Sequence, residues 1–545
     1  MRFRAISGGL LFALTVSSAA LAQVPSPTDT ASPSASAPTG PAGTTSAPAP
    51  EPSSKPPDTP PPTPTDKPAD APPPEGVKAA APVRPDAVSK STPPEKSVLD
   101  KPLSGFSLGS YGRMVAGSDF RGRPGRDADF VAHGSRLDES NYVEIELRRD
   151  DYWEKTQSRT RVVATLAFAN PIFHYTGDFD VKMGIRNLYI EERDLGLKRL
   201  SVWAGSRMYR GDDLYLLDFW PLDNLNTLGA GARYEFTESG RTSLALHAGV
   251  NQPNNSFFYQ GYGRSLPNNQ VGSATVDILN RQKTLASAKF SHIIPVGEKG
   301  GIKAVVYGEF HALPSGQRQT DPNVYEDVPG ETGFVVGAQL GAFSGERDTH
   351  LNLFLRYARG LAAYGEFGKP SQLGLDHTTD GASELLLALG GNWEKGPFGL
   401  MAAGYLRSFR NASKPLDYDD VDEGILALRP HLFFGEWGGL ALEGSFQAQQ
   451  RGVLFTDTSN GGTAGDVSAS PLMGTMWRFG VIPFLSPGGA GDYSRPHFRL
   501  IYVASFRDKG ARSFYPKDDP FALHDLEHFF GFGAEWWFNS SSYGG

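Results

Sequence analysis

The chain has 545 residues, a formal net charge of −8 and no cysteine. The mild negative charge argues against a nucleic-acid-binding protein, which would carry a basic patch or stripe. The absence of cysteine excludes disulfides, thiol catalysis and cysteine-ligated zinc. Glycine (63 residues) and aromatic residues (11%) are abundant, which is typical of an all-β protein with many turns.

The N-terminus has the features of an export signal. Arg2 and Arg4 precede an apolar stretch over residues 9–20, and the small residues Ala20 and Ala22 follow. We therefore expect residues 1–22 to be a signal peptide that is cleaved after Ala22. No later stretch reaches about 18 consecutive apolar residues, so no membrane-spanning helix is predicted. The exported chain should be either a soluble protein or a membrane β-barrel.

Residues 23–104 are dominated by proline, alanine, serine and threonine, with runs such as Pro60–Pro62 and Pro72–Pro74. Large apolar residues are too few to form a core, so this segment is predicted to be a disordered periplasmic extension. We interpret it as an inert spacer. The alternative is contact with the cell wall, because about 80 residues span roughly 50 Å as a flexible coil.

From Gly105 onward, short runs of alternating apolar and polar residues are separated by turns rich in glycine, aspartate, asparagine and proline. Alternate residues of a strand point to opposite faces. The predicted apolar faces include Val143, Ile145 and Leu147; Leu351, Leu353, Leu355 and Tyr357; and Phe498, Leu500, Tyr502, Ala504 and Phe506. A soluble β-sandwich rarely continues this pattern for more than about 400 residues, whereas an outer-membrane barrel does so naturally.

The last predicted strand, residues 528–538, favours the barrel. Its alternation places one apolar set toward lipid, formed by Phe530, Phe532, Ala534, Trp536 and Phe538. The opposite set should face the lumen and consists of Phe529, Gly531, Gly533, Glu535 and Trp537. A short tail, residues 539–545, follows. We therefore predict an all-β chain whose residues 105–538 form a transmembrane, antiparallel, up-and-down β-barrel.

Several blocks of the sequence resemble the maltoporin-like sugar porin family, in the same order along the chain. The strongest runs from Trp203-Ala-Gly-Ser-Arg207-Met-Tyr209 through Asp218-Phe219 to Gly229-Ala-Gly231; the others are Gly109-Ser-Tyr111-Gly-Arg113, Arg136-Leu137, Tyr142-Val-Glu144, Ser494-Arg495-Pro496 with Arg499, and the last strand. The resemblance implies an 18-stranded trimeric barrel with both termini in the periplasm. It also implies that the strongest block leads into a loop that folds inward and narrows the channel.

The resemblance implies a role for eleven residues. Those of the aromatic track, along which sugars slide, are Tyr111, Tyr142, Phe434 and Trp537, with Trp437 as an alternative to Phe434. Those of the polar track and the constriction are Arg113, Arg136, Glu144, Arg186, Arg210, Asp218 and Trp220. Arg210 stands beside Gly211, which occupies the position of a family arginine. Two family cysteines of the first outer loop are absent, so that loop has no disulfide.

Residue spacing supports the same reading independently. Tyr111 and Arg113 are two residues apart and share a strand face, as do Tyr142 and Glu144. A sugar stacks its C–H face on an aromatic ring. Its hydroxyls accept hydrogen bonds from arginine and donate hydrogen bonds to carboxylates. The alternative interpretations are interfacial or packing aromatics and ion pairs that only stabilise the wall.

No serine-hydrolase, phosphate-binding or zinc-protease motif is present. His524, Asp525 and His528 lie close together, but a polar outer loop explains them better than a metal site. We therefore expect neither an enzyme nor a cofactor. The sequence favours a passive outer-membrane channel for maltodextrin-like oligosaccharides or other sugars. The alternatives are a general or anion-preferring diffusion porin, and a structural tether that uses the proline-rich extension.

Overall fold

The computed structural model describes residues 104–138, 141–169, 182–266, 271–345, 348–365, 378–411, 420–456 and 467–540. In chain order the strands are β1 (Gly105–Ser118), β2 (Tyr142–Trp153), β3 (Ser158–Ala169), β4 (Lys182–Arg193), β5 (Leu200–Arg210), β6 (Asn224–Glu235), β7 (Thr242–Asn251), β8 (Tyr259–Ser265), β9 (Ser273–Asn280), β10 (Lys283–Val296), β11 (Gly300–Leu313), β12 (Gly316–Asp321), β13 (Val324–Val328), β14 (Glu331–Phe343), β15 (His350–Gly360), β16 (Ser383–Lys395), β17 (Phe398–Arg410), β18 (Val421–Phe434), β19 (Gly438–Thr456), β20 (Val467–Leu485), β21 (His497–Arg507) and β22 (Leu526–Phe538).

Eighteen of these strands form one antiparallel sheet, in which each pairs with its neighbours along the chain. The sheet closes on itself because β1 pairs with β22, with Tyr111 opposite Trp537. The four remaining strands form two hairpins, β8 with β9 and β12 with β13. The predicted 18-stranded antiparallel barrel is therefore confirmed. The predicted signal peptide and proline-rich extension lie outside the described residues, as does the tail beyond residue 540.

The helices are short: α1 (Lys509–Arg512), α2 (Pro520–Leu523) and two 3-10 turns at Tyr215–Leu217 and Leu361–Tyr364. Within the described ranges, no helix has the length and apolar character needed to cross a membrane.

The two ends of the barrel differ in their connections. Turns such as 154–157 and 396–397 lie at the end where β1 begins and β22 ends. The opposite end carries the longer connections, including 119–141, 211–223 and the two that contain the extra hairpins. Residues 486–496 are an exception, because they form a longer connection at the short-turn end.

The predicted strand faces are confirmed. On β2, Ile145 and Leu147 are 45% and 50% exposed, whereas Glu144 and Glu146 are buried inside the barrel. On β22, Phe532 lies on the outer face and Glu535 on the inner face. The apolar outer wall and polar inner wall follow from the alternation of side chains along each strand.

The interior of the barrel is not lined by strands alone. Residues 211–223 fold inward, and the side chains of Leu214, Leu216 and Phe219 pack into a buried apolar cluster against the far wall. Glycine residues on that wall leave room for these side chains. A Cβ atom at Gly390 would lie 2.4 Å from Cδ2 of Leu214. The predicted inward-folded loop is therefore present, and its apolar side chains are its anchor.

Candidate channel constriction

The constriction is built from the loop 211–223 (the inward loop), the loop 119–141 (the first loop) and the wall strands β1, β2 and β22. The first loop and the inward loop are joined directly, because the backbone N–H of Arg136 donates to the carbonyl oxygen of Leu216 at 3.2 Å. The Arg136 guanidinium also donates to the carbonyl oxygen of Tyr215 at 3.3 Å. Two segments distant in sequence therefore form one unit inside the barrel.

Three of the predicted aromatic residues lie together on the inner wall. Tyr111 faces Trp537 across the β1–β22 pair, and their rings stack at 6.4 Å with an interplanar angle of 20°. Tyr142, on the adjacent β2, brings its ring to 6.0 Å from that of Tyr111. Their proximity follows from strand register, because residues on one face of paired strands are neighbours.

Asp218 is the acidic centre of the constriction. Its carboxylate lies 3.8 Å from the guanidinium of Arg113 and 3.8 Å from that of Arg136. Its backbone adopts a left-handed conformation with φ of 47°, and this residue ends the 3-10 turn of the inward loop. Burial alone would raise the pKa of Asp218, but Arg136 and Arg113 hold that pKa below its ordinary value. The carboxylate is therefore ionised between the arginines.

Burial and the neighbouring Asp218 have the opposite effect on Asp213 of the inward loop, and raise its pKa to about 7. Arg136 lowers the pKa of Asp213 but does not offset the two larger effects. Of these two acids of the inward loop, Asp218 is therefore charged at neutral pH and Asp213 titrates there.

Arg186 reaches the same region through a bulge. The β3–β4 register shifts between Thr165 and Leu166, and Arg186 is the extra residue. The bulge turns its side chain inward, where it lies 3.6 Å from the Glu144 carboxylate and 5.5 Å from the Tyr142 ring centroid. Glu144 also accepts a hydrogen bond from the Tyr142 hydroxyl.

Arg210 and Trp220 form a stacked pair at the two ends of the inward loop. The Arg210 guanidinium lies 3.9 Å from the Trp220 ring centroid and also donates to the side-chain oxygen of Asn224 at 2.6 Å. Arg210 is close enough to lower the pKa of Asp218, after the larger effects of burial and the two nearer arginines. Both residues thus adjoin the constriction.

Tyr215 was not singled out by the sequence, yet it connects the inward loop to the wall. Its hydroxyl donates to Oε2 of Glu535 at 2.6 Å and accepts from Arg495 and from Arg499. Arg495 belongs to the connection 486–496 (the lower segment), which enters from the opposite end of the barrel. Its guanidinium lies 4.0 Å from the ring centroid of Trp537. The lower segment and the inward loop therefore meet over the aromatic residues.

One predicted residue is not in the lumen. Phe434, at the end of β18, is 55% exposed on the outer face, and the alternative Trp437 is 65% exposed in the following turn. The inward aromatic residue at this level is Phe433, which is 5% exposed. The assignment of Phe434 to the aromatic track is wrong, because adjacent residues of a strand point to opposite faces.

Comparison of the sequence with protein families agrees with the geometry of the barrel. A family model described as LamB porin matches residues 106–538, which span the whole barrel. The chain belongs to the LamB porin family. It is therefore a porin, a channel of the bacterial outer membrane. In such barrels the short turns face the periplasm and the long loops face the outside, so the lower segment lies at the periplasmic end of this LamB porin.

Other comparisons are weaker. No curated protein matches the chain. Among solved structures, Acinetobacter baumannii OccAB2 is 12% identical, with 82% of this chain and 100% of that chain covered and a TM-score of 0.39. Pseudomonas putida OprB is 10% identical, with 80% and 94% covered and a TM-score of 0.34. Similarities of this strength do not bear on which solutes pass.

Proposed function

We propose that this LamB porin is a passive channel selective for carbohydrates, which diffuse through it into the periplasm. The observation that carries the proposal is the row of Tyr142, Tyr111 and Trp537 rings, 6.0 and 6.4 Å apart, beside the Arg113–Asp218 pair. Adjacent rings give a sugar successive stacking surfaces, and the charged groups exchange hydrogen bonds with its hydroxyls. Several weak sites in series allow both entry and release.

Access to the rings requires local movement. Tyr111 and Trp537 are 1% and 7% exposed, since Arg495 covers the Trp537 face and the Tyr215 ring meets its edge at 6.0 Å. A cation–π contact contributes about 0.5–2 kcal/mol, which is similar to the stacking energy that a sugar ring would supply. The two contacts on the face of Trp537 therefore nearly offset each other, and the sugar hydroxyls must take over the hydrogen bonds that Arg495 makes with Glu535 and Tyr215.

The test is single-channel conductance of the purified protein in planar bilayers, titrated with maltodextrins, sucrose and other oligosaccharides. Saturable block of the ion current is expected. Trp537→Ala and Tyr142→Ala should each weaken block about fivefold, the equivalent of about 1 kcal/mol for one lost stacking surface. Arg495→Ala, which uncovers the ring of Trp537, should strengthen block.

The matched control is Trp536→Ala, because Trp536 is the adjacent tryptophan and lies on the outer face of β22. It should leave sugar block unchanged. Steady current without block by any sugar, or equal block in the Trp536 and Trp537 variants, would refute the proposal.

A second candidate is an anion-preferring diffusion porin. Four arginines, Arg113, Arg136, Arg186 and Arg210, surround Asp218 closely enough to affect its titration. A ring of arginines favours anions in a pore. Reversal potentials in a KCl gradient, measured with and without sugar, separate the candidates: strong anion preference that sugar does not reduce would favour this one.

A homotrimer follows from the family resemblance. Residues 23–104 are interpreted as an inert spacer, and contact with the cell wall is the alternative. Light scattering of the detergent-solubilised protein tests the homotrimer. Unchanged cell-wall association after deletion of residues 24–100 would exclude that contact.

A further inference from the structure

Three acidic residues of the first loop converge at the outer end of the barrel, away from the aromatic row. Asp127, Asp129 and Asp138 each place one carboxylate oxygen within 4.8 Å of the other two. They adjoin one guanidinium: Arg478 of β20 lies 2.6 Å from Asp129 and 2.5 Å from Asp138. Among the residues that the structure describes, Arg478 is the cation that pairs directly with these acids, which leaves an excess of negative charge.

The second observation is an unsatisfied, buried oxygen. Asp138 is 6% exposed, and its Oδ1 atom has no hydrogen-bond partner among the described residues. Its Oδ2 atom accepts from Arg478 and from the backbone N–H of Ala128. A buried acceptor without a partner is costly, so Oδ1 marks a place where a ligand would be stabilising.

Space for that ligand adjoins Asp138. Asp138 and Ala128 line a cavity of about 50 Å³, whose other charged lining residues are Asp119, Glu527, Arg123 and Arg126. A cavity of this size holds about three water molecules. Arg507 reaches this region but donates to the carbonyl oxygen of Ala128, at 3.0 Å, rather than to a carboxylate of the cluster. Asp127 is exposed to solvent, so an ion can reach the cluster from outside.

We propose that Asp127, Asp129 and Asp138 bind one Ca²⁺ ion, whose remaining ligands are waters in the adjoining cavity. Two oxygens that each lie about 2.4 Å from one Ca²⁺ can be at most about 4.8 Å apart. The carboxylate oxygens of the three acids lie within 4.8 Å of one another, so all three can bind the same ion. Carboxylate and water oxygens are the preferred ligands of Ca²⁺, and its flexible geometry tolerates an irregular set. Mg²⁺ demands near-ideal octahedral geometry and should bind more weakly.

The balance of charge agrees with this assignment, because Arg478 offers one positive charge to three carboxylates. A divalent cation would supply the charge that Arg478 alone does not. The site would also cross-link a loop that has no disulfide, since the chain has no cysteine. Because Arg136 lies two residues before Asp138, Ca²⁺ should fix the part of the loop that reaches the constriction.

The experiment is calorimetric titration of the full-length, detergent-solubilised protein with CaCl₂ after treatment with a chelator. One Ca²⁺ per chain is expected. Asp127→Asn and Asp129→Asn should each weaken binding at least tenfold. Asp327→Asn removes an acid from the β13 hairpin at the same end of the barrel and should bind Ca²⁺ like the parent. Asp127→Asn leaves both Arg478 ion pairs in place, so its folding should be preserved.

Two results would overturn the proposal: no Ca²⁺ uptake by the parent protein, or uptake by Asp127→Asn that equals that of the parent. Mg²⁺ binding as tight as Ca²⁺ binding would overturn the preference for Ca²⁺. The titration does not depend on transport, so its outcome is independent of whether sugars pass.

Discussion

Replacing Tyr215 by phenylalanine removes the hydroxyl that fastens the inward loop to the barrel wall. That hydroxyl donates to Glu535 at 2.6 Å and accepts from Arg495 and Arg499. A hydrogen bond to a charged group contributes about 1.5–3 kcal/mol. Arg495 still pairs with Glu535 at 2.9 Å without the hydroxyl, so no charge loses its only partner. We expect the lower value, about 1.5 kcal/mol, which is about a tenfold change in the loop equilibrium.

The first assay is single-channel recording, in which Tyr215→Phe should increase the time spent in noisy or higher-conductance substates about tenfold. The second is urea unfolding of the detergent-refolded protein, which should show the same loss of stability. Tyr493→Phe is the control, because the Tyr493 ring contacts that of Tyr215 at 5.5 Å and its hydroxyl makes no hydrogen bond within the described residues. If both variants match the parent in both assays, the hydroxyl does not anchor the loop.

Two further predictions concern the inward loop. In Gly390→Ala the new methyl group would lie 2.4 Å from Leu214, so overpacking should destabilise the folded protein by about 1–3 kcal/mol and alter the conductance. Gly444→Ala is the control, because a Cβ atom there has no neighbour within 4 Å and should leave the conductance unchanged. Identical conductance in the two variants would contradict the packing of Leu214 against Gly390. Because burial and Asp218 raise the pKa of Asp213 to about 7, Asp213 gains its charge as pH rises through 7. The preference for cations, measured from reversal potentials, should therefore increase from pH 6 to pH 8, and Asp213→Asn should abolish this increase. A cation preference of the parent protein that does not change between pH 6 and pH 8 would show that Asp213 does not face the pore.

The faces of the strands could be predicted from the sequence because side chains alternate along a strand. Leu351 and Leu353 face outward and Phe354 inward, as the alternation indicates. The number of strands and the closure of β1 on β22 could not be derived from alternation, which does not specify which strands pair. Those features came from the family resemblance, whose blocks extend over the whole barrel.

The residues of the site were harder to predict where a shift of one residue along a strand moves a side chain from the lumen to the outer face. Phe434 was assigned from a short block, and a shift of one residue placed it outside the barrel while Phe433 lies inside. Arg186 reaches the lumen through a bulge that no local pattern reveals. Tyr215 was missed because its partner Glu535 lies 320 residues away, and strand periodicity carries no information about such contacts.

The last strand of the barrel also carries the residues that hold the inward loop. Glu535 and Trp537 lie on β22, whose pairing with β1 closes the cylinder. Tyr215 therefore reaches this partner only after the final strand has been placed, although Tyr215 is synthesised 320 residues earlier than Glu535. Without β22 the loop retains its apolar contacts with the far wall but lacks the carboxylate of Glu535, so the last strand both completes the wall and fastens the loop.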